Sequence, residues 1–273
     1  MKPIIIPTDF SSSADNAAHF GAQLASALGS TLYLLNVYQI PVSISDIPVM
    51  MISGEELKKN ADEGLERSRE ELQKTYPELA IVTESRLGDV TTELKDFCRE
   101  VDPLAVLIGS HEESGFERLL FGSTTLSVIR HLQCPVMAIP AASRFAPVRN
   151  VVFATDLQAL SPATALKIVN LTQLFSASLH IVHVDVGGED PAAHPPGEQV
   201  KKLENQLQPL QAVFHEIKDG DVGHGMQSYA EQNQADLIIA VQHKHSFWER
   251  FLWKDHCESV LTHVQVPLLV LPE

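Results

Sequence analysis

Asp9 and Asp156 are the first carboxylates to weigh for acid–base chemistry, because each closes a short apolar run in the same way, IIIPTD at Ile4 to Asp9 and VVFATD at Val151 to Asp156. Proton transfer needs a second group within reach, and neither motif carries another carboxylate or a histidine beside its aspartate. A binding role is the expectation for both. His243, His245, His256 and Cys257 gather the ligand types of zinc, yet their spacing is weak support for a metal site. Cys98, Cys134 and Cys257 form neither a disulfide framework nor a CxxC pair, and Cys134 reads as a small buried hydrophobe before an apolar strand. What remains is a glycine-bearing loop, from Gly109 to Gly122-Ser123-Thr124.

The elements that position this loop occur twice. Sliding the segment Gly109 to Pro140 by 132 positions lays it on Val241 to Pro272 without a gap, and pairs such as His111/His243, Glu117/Glu249, Arg118/Arg250, His131/His263 and Pro135/Pro267 are identical. Gly109, Gly122 and Ser123 are matched in the second copy by Val241, Lys254 and Asp255. Only the first copy keeps the glycines.

Ahead of the loop, Ile4 to Ile6 is a continuous β-branched run suited to a strand buried on both faces. Ser11 to Ser13 offer N-caps, and Ala14, Ala17, Gly21, Leu24 and Leu28 recur at helical spacing until Gly29 supplies a stop. Leu32 to Val37 is the next strand. Gln39 to Ile52 is apolar yet carries Pro41 and Pro48, so it reads as a covered loop. A surface helix over Glu55 to Thr75, a strand over Ile81 to Arg86, a helix from Val90 and a strand over Leu104 to Ile108 follow. Helix Ser123 to His131 and strand Pro135 to Ile139 close the first half. The RFAPVR stretch from Arg144 reads as a linker, so the expected domains are 1–143 and 144–273.

The chain has 273 residues, ample for two cores. Its formal net charge of -15 argues against nucleic acid or an anionic membrane as the main partner, since both call for a basic footprint. The start has one Lys and an apolar run too short for a signal segment, and no stretch is long enough to span a membrane, so a cytoplasmic location is expected. Trp248 and Trp253 are assigned to core or interface packing.

The strand-PTD start, the alternating β-α order, and Gly109 with Gly122-Ser123 ahead of a helix and the RHLQCPVMAIP tail together resemble the universal stress protein family. The resemblance covers both halves, making the chain similar to a tandem member. It implies two Rossmann-like (HUP-type) α/β domains. Each would be an open five-stranded parallel sheet of order 3-2-1-4-5 flanked by helices, with the fifth strands paired across the domains as an internal pseudo-dimer.

For family members that bind nucleotide, the resemblance implies ATP at the carboxyl ends of the first and fourth strands. In this sequence Pro7, Thr8 and Asp9 would meet the adenosine and the Val37 backbone the adenine edge. Gly109, Gly122, Ser123 and Thr124 would hold the phosphates, with Mg²⁺ as companion. Glycines let amides approach phosphate oxygens, and a helix N-terminus favours an anion. The family pattern has a second glycine three residues after Gly109, where this chain has Glu112, whose carboxylate would repel a triphosphate. The expected function is a stress-response factor with an adenine-nucleotide switch in its first domain, at most slowly hydrolysing or autophosphorylating. The alternative is a nucleotide-independent protein-interaction module of the same fold, its protein partner unknown. A further homodimer is compatible with either.

Overall fold

The computed structural model describes residues 1–40, 53–112, 119–120, 123–141, 143–187, 196–242 and 266–273. Most of the proline-bearing apolar loop, Gly122, both tryptophans and His243, His245, His256 and Cys257 lie outside these described residues. The chain divides into two compact units, residues 1–110 with 122–139, and residues 111–121 with 140–273.

The first unit opens with β1 (Ile4–Pro7), whose three isoleucines are fully buried, as a run apolar on both faces requires. Then follow α1 (Ser12–Leu28), β2 (Leu32–Tyr38), α2 (Gly54–Thr75), β3 (Ile81–Leu87), α3 (Val90–Val101) and β4 (Ala105–Gly109). After α4 (Ser123–His131) comes β7 (Val136–Ile139), named in chain order after the two short strands described below. These pairings are parallel, and they set the order β3-β2-β1-β4-β7, the 3-2-1-4-5 arrangement that the family resemblance implies. In register, Ile4 lies opposite Leu32 on one side and Ala105 on the other.

The second unit repeats this plan with β8 (Asn150–Ala154), α5 (Pro162–Phe175), β9 (Ser178–Asp185), α6 (Pro196–Gln206), β10 (Val213–Lys218), α7 (Val222–Gln232), β11 (Leu237–Gln242) and β12 (Leu268–Pro272). Its parallel order is β10-β9-β8-β11-β12, again 3-2-1-4-5. The segment 111–121 contributes a short antiparallel pair, β5 (His111–Glu112) against β6 (Leu119–Leu120).

Helix ends obey local chemistry. Ser11 caps α1 through its side chain on the Ala14 amide, and Gly29 ends it at φ 62°. Ser161 caps α5 on Thr164, and Ser176 takes the left-handed position at φ 53° where the first unit has glycine.

Candidate functional site

In an open parallel sheet a crevice forms where strand order reverses, outside the carboxyl ends of the strands. In the first unit that point lies between β1 and β4. The structure brings Pro7, Thr8 and Asp9, at the end of β1, to the same sheet edge as Gly109, at the end of β4. Val37 joins them near the end of β2, half-buried and opposite Arg86 of β3. Ser123 and Thr124 open α4, whose first amides have no partner within the helix.

The Thr8-Asp9 turn is built from its own side chains. Thr8 is buried and its Oγ1 accepts from the Phe10 amide at 3.0 Å, while Asp9 Oδ1 accepts from the Ser11 amide at 3.0 Å. Phe10 is thereby held at φ 64°. The duplicate does the same: Thr155 Oγ1 accepts from Leu157, Asp156 Oδ1 accepts from Gln158, and Leu157 sits at φ 64°. Both aspartates therefore shape their turns. Asp156 Oδ2 is in addition buried without a hydrogen-bond partner among the described residues.

Asn36 is a positioning residue that no motif in the sequence singles out. Buried on β2, it donates Nδ2 to the Thr8 carbonyl at 2.7 Å and fixes where β1 hands over to the turn. His183 takes that place in the second unit, its Nδ1 facing the Thr155 carbonyl at 3.0 Å; because a carbonyl can only accept, Nδ1 carries the proton. Asn36→Ala should cost about 2 kcal/mol, since it strands a buried carbonyl. A urea unfolding midpoint unchanged from wild type would remove Asn36 from this role.

Gly109 has a second reason to be glycine. A Cβ built on it would lie 2.0 Å from the Ser13 carbonyl oxygen, so the first turn of α1 rests on bare strand backbone. Val241 stands there in the second unit, buried, and α5 explains how. Pro7 and Ala154 end their strands in register with the repeat, yet α1 starts five residues after Pro7 (12 − 7) and α5 eight after Ala154 (162 − 154). Both helices end in step at Gly29 and Ser176, so α5 has 14 residues against 17. Leu160, at the position of Ser13, has its carbonyl engaged by Gln206 Nε2 at 2.8 Å. A turn of helix has been given up to a loop, and a valine fits.

Ser110 follows Gly109 directly. It is fully buried, and its amide donates to the Ile139 carbonyl at 2.9 Å. Its hydroxyl has no hydrogen-bond partner among the described residues. A buried hydroxyl without a partner costs free energy, which a bound acceptor would return. A phosphate oxygen is such an acceptor, so the donors present fit a nucleotide phosphate. Glu112 lies in β5, opposite Leu119.

The model of the universal stress protein family matches residues 1–140 and again residues 147–272. Among related sequences, Universal stress protein Slr1230 of Synechocystis is 25% identical over 293 residues, covering 98% of this chain and 99% of that protein. Universal stress protein MJ0531 of Methanocaldococcus jannaschii is 26% identical over 140 residues, half of this chain and 81% of that protein. Among solved structures, a universal stress protein from Archaeoglobus fulgidus covers 100% of this chain and 96% of its own at a TM-score of 0.68 and 18% identity. At that identity the likeness speaks for the fold alone.

Proposed function

The chain belongs to the universal stress protein family, and from that membership we propose that its first unit binds an adenine nucleotide at the carboxyl ends of β1 and β4 and acts as a nucleotide-responsive switch in a stress response. The observation that carries the proposal is the Ser110 hydroxyl, buried and without a partner among the described residues at the point where strand order reverses. Pro7, Thr8 and Asp9 would face the adenosine and the Val37 backbone the adenine edge. Ser110, Gly122, Ser123 and Thr124 would serve the phosphates, with the opening amides of α4 adding a favourable dipole. Mg²⁺, when bound, supplies positive charge to the polyphosphate. Glu112 follows Ser110 by two residues, so Mg-ATP should bind better than free ATP. Turnover, if present, is slow hydrolysis or autophosphorylation, and the protein works in the cytoplasm.

Thermal unfolding with and without millimolar Mg-ATP, with Mg-GTP as control, tests this, because a ligand that binds only the folded state stabilises it by mass action. Wild type should shift upward with ATP. Ser110→Ala should be more stable than wild type without nucleotide, by about 1 kcal/mol, because it deletes an unsatisfied buried hydroxyl. The same variant should lose most of the ATP shift. A full shift retained in Ser110→Ala would remove the hydroxyl from the site.

One observation favours a second reading. Ser13 alone accounts for the glycine at 109, with no phosphate needed, as in a nucleotide-independent interaction module for a protein partner. A folded wild type with no ATP shift would select it.

A further inference from the structure

Cys98 and Cys134, scattered in sequence, meet inside the first unit. The Cys98 and Cys134 Sγ atoms lie 2.7 Å apart, closer than two unbonded sulfurs ordinarily approach and longer than the ~2.05 Å of a sulfur–sulfur bond. Both are buried and both are free thiols. Cys98 lies on α3, and Cys134 in the turn between α4 and β7. The repeat puts Ala230 and Val266 at the same places in the second half. Packing at these positions therefore does not call for two sulfurs.

We propose that Cys98 and Cys134 are a redox modification site that closes to an intramolecular disulfide when a peroxide reaches the first unit. One sulfur, as thiolate, attacks the peroxide O–O bond and becomes a sulfenic acid, and the departing oxygen leaves as water after protonation. The second thiol then displaces the hydroxyl from that sulfur, forming the S–S bond and a second water. Two thiol hydrogens are lost, and the peroxide accepts the two electrons. The adjoining Cys134 thiol, with burial, holds the Cys98 thiol well above its ordinary pKa, so the first step is slow at neutral pH and quickens as pH rises. The bond ties α3 to the turn that follows α4, and the two helices are already joined by the Thr91 and Ser127 hydroxyls at 3.1 Å. The inference stands independently of nucleotide binding.

The test uses the full chain carrying Cys257→Ser, so that this pair holds its only thiols. The protein is exposed to hydrogen peroxide, unfolded in alkylating reagent and mapped by peptide mass spectrometry. Both thiols should vanish together into one linked peptide pair from a single chain and return with a dithiol reductant. The oxidised protein should also melt at a higher temperature than the reduced one. With Cys98→Ala added, a residue the second half tolerates there, Cys134 should be trapped as sulfenic acid by a dione reagent. Two results overturn the proposal. One is both thiols remaining alkylatable at peroxide doses that cross-link the unfolded chain. The other is each sulfur advancing to its own sulfinic acid, or linking between chains, without the Cys98–Cys134 bond.

Discussion

Gly109→Ala is expected to destabilise the first unit by about 3 kcal/mol or more, a reversal of what the substitution ordinarily does in a strand. Glycine inside a strand is usually a weakness, and alanine recovers part of it by restricting the unfolded chain. At Gly109 the added carbon would meet the Ser13 carbonyl oxygen at 2.0 Å and its carbon at 2.6 Å. Both are backbone atoms, which cannot swing aside as a side chain would. Relief must come from lifting the first turn of α1 off β4, at the expense of buried contacts around Ala14 and Ala17. Because the first carbon makes the clash, Gly109→Val should be only moderately worse than Gly109→Ala. Val241→Gly in the second unit should cost about 2 kcal/mol by the different route of lost burial. Urea or thermal unfolding of the three variants gives the comparison. A Gly109→Ala protein as stable as wild type would mean that α1 does not rest on β4 as closely as the structure has it.

The same position shows what could be read from the sequence and what could not. The strands were legible because Ile4 to Ile6, Leu32 to Val37 and their duplicates are apolar runs whose signal is local, and the repeat gave each a counterpart in the other half; their order in the sheet came from the family resemblance. The shortening of α5 left no gap to detect. The repeat stays in step from Ala154 through Ser176, and the change is a transfer of three residues from helix to loop within a fixed length. The candidate site was legible as far as motifs run along the chain, at Thr8, Asp9 and Gly109. Asn36 and Ser110 carry no motif; their roles arise when β2 comes beside β1 and β7 beside β4. Cys98 and Cys134 are 36 residues apart, and only the packing of α3 against the end of α4 makes them a pair. Side-chain meetings between elements distant in sequence have no local signature, and Asn36, Cys98 and Cys134 are of that kind; Ser110 is set apart by its burial, which a sequence does not print.

Acidification below neutrality should weaken the second unit more than the first, and the cause is a difference between their outer strands. In the first unit Tyr33 packs edge-on against Phe97, and the Arg86 guanidinium lies 4.6 Å above the Phe97 ring. In the second, β9 and β10 bring His180 and His215 into a stack at 5.4 Å and 14°, with Tyr229 of α7 against both and its hydroxyl 2.7 Å from His180 Nδ1. Parallel stacked rings aim their nitrogens side by side rather than at one point, which disfavours a chelated metal. Burial, and then the charge His215 would carry, hold the His180 pKa below its ordinary 6.5. The folded unit therefore prefers neutral His180 more than the unfolded chain does. The stability this contributes is fully present above pH 6.5 and is lost as pH falls through the lower folded value.

Two other groups must be separated from this effect. His224 is raised by Asp219, so its contribution has the opposite sign, present below pH 6.5 and lost above it; the side chain is fully exposed, and solvent leaves it little weight. Asp62, Asp89, Glu100 and Asp219 are lowered by their partners, so what they contribute is lost only nearer pH 4. Between pH 7 and 5 the histidine stack should set the slope. Amide hydrogen exchange should accelerate in β9 and β10 over that range and much less in β2 and β3. The double variant His180→Phe/His215→Phe, which keeps ring packing and removes both protons, should flatten the difference. Equal acid sensitivity of the two units in wild type, or an unchanged slope in the double variant, would mean that the stack does not govern the response. In the first unit Tyr33 stands where His180 does and Thr83 where His215 does, so the corresponding strands carry no histidine pair, and the nearby guanidinium of Arg86 is paired with Glu100.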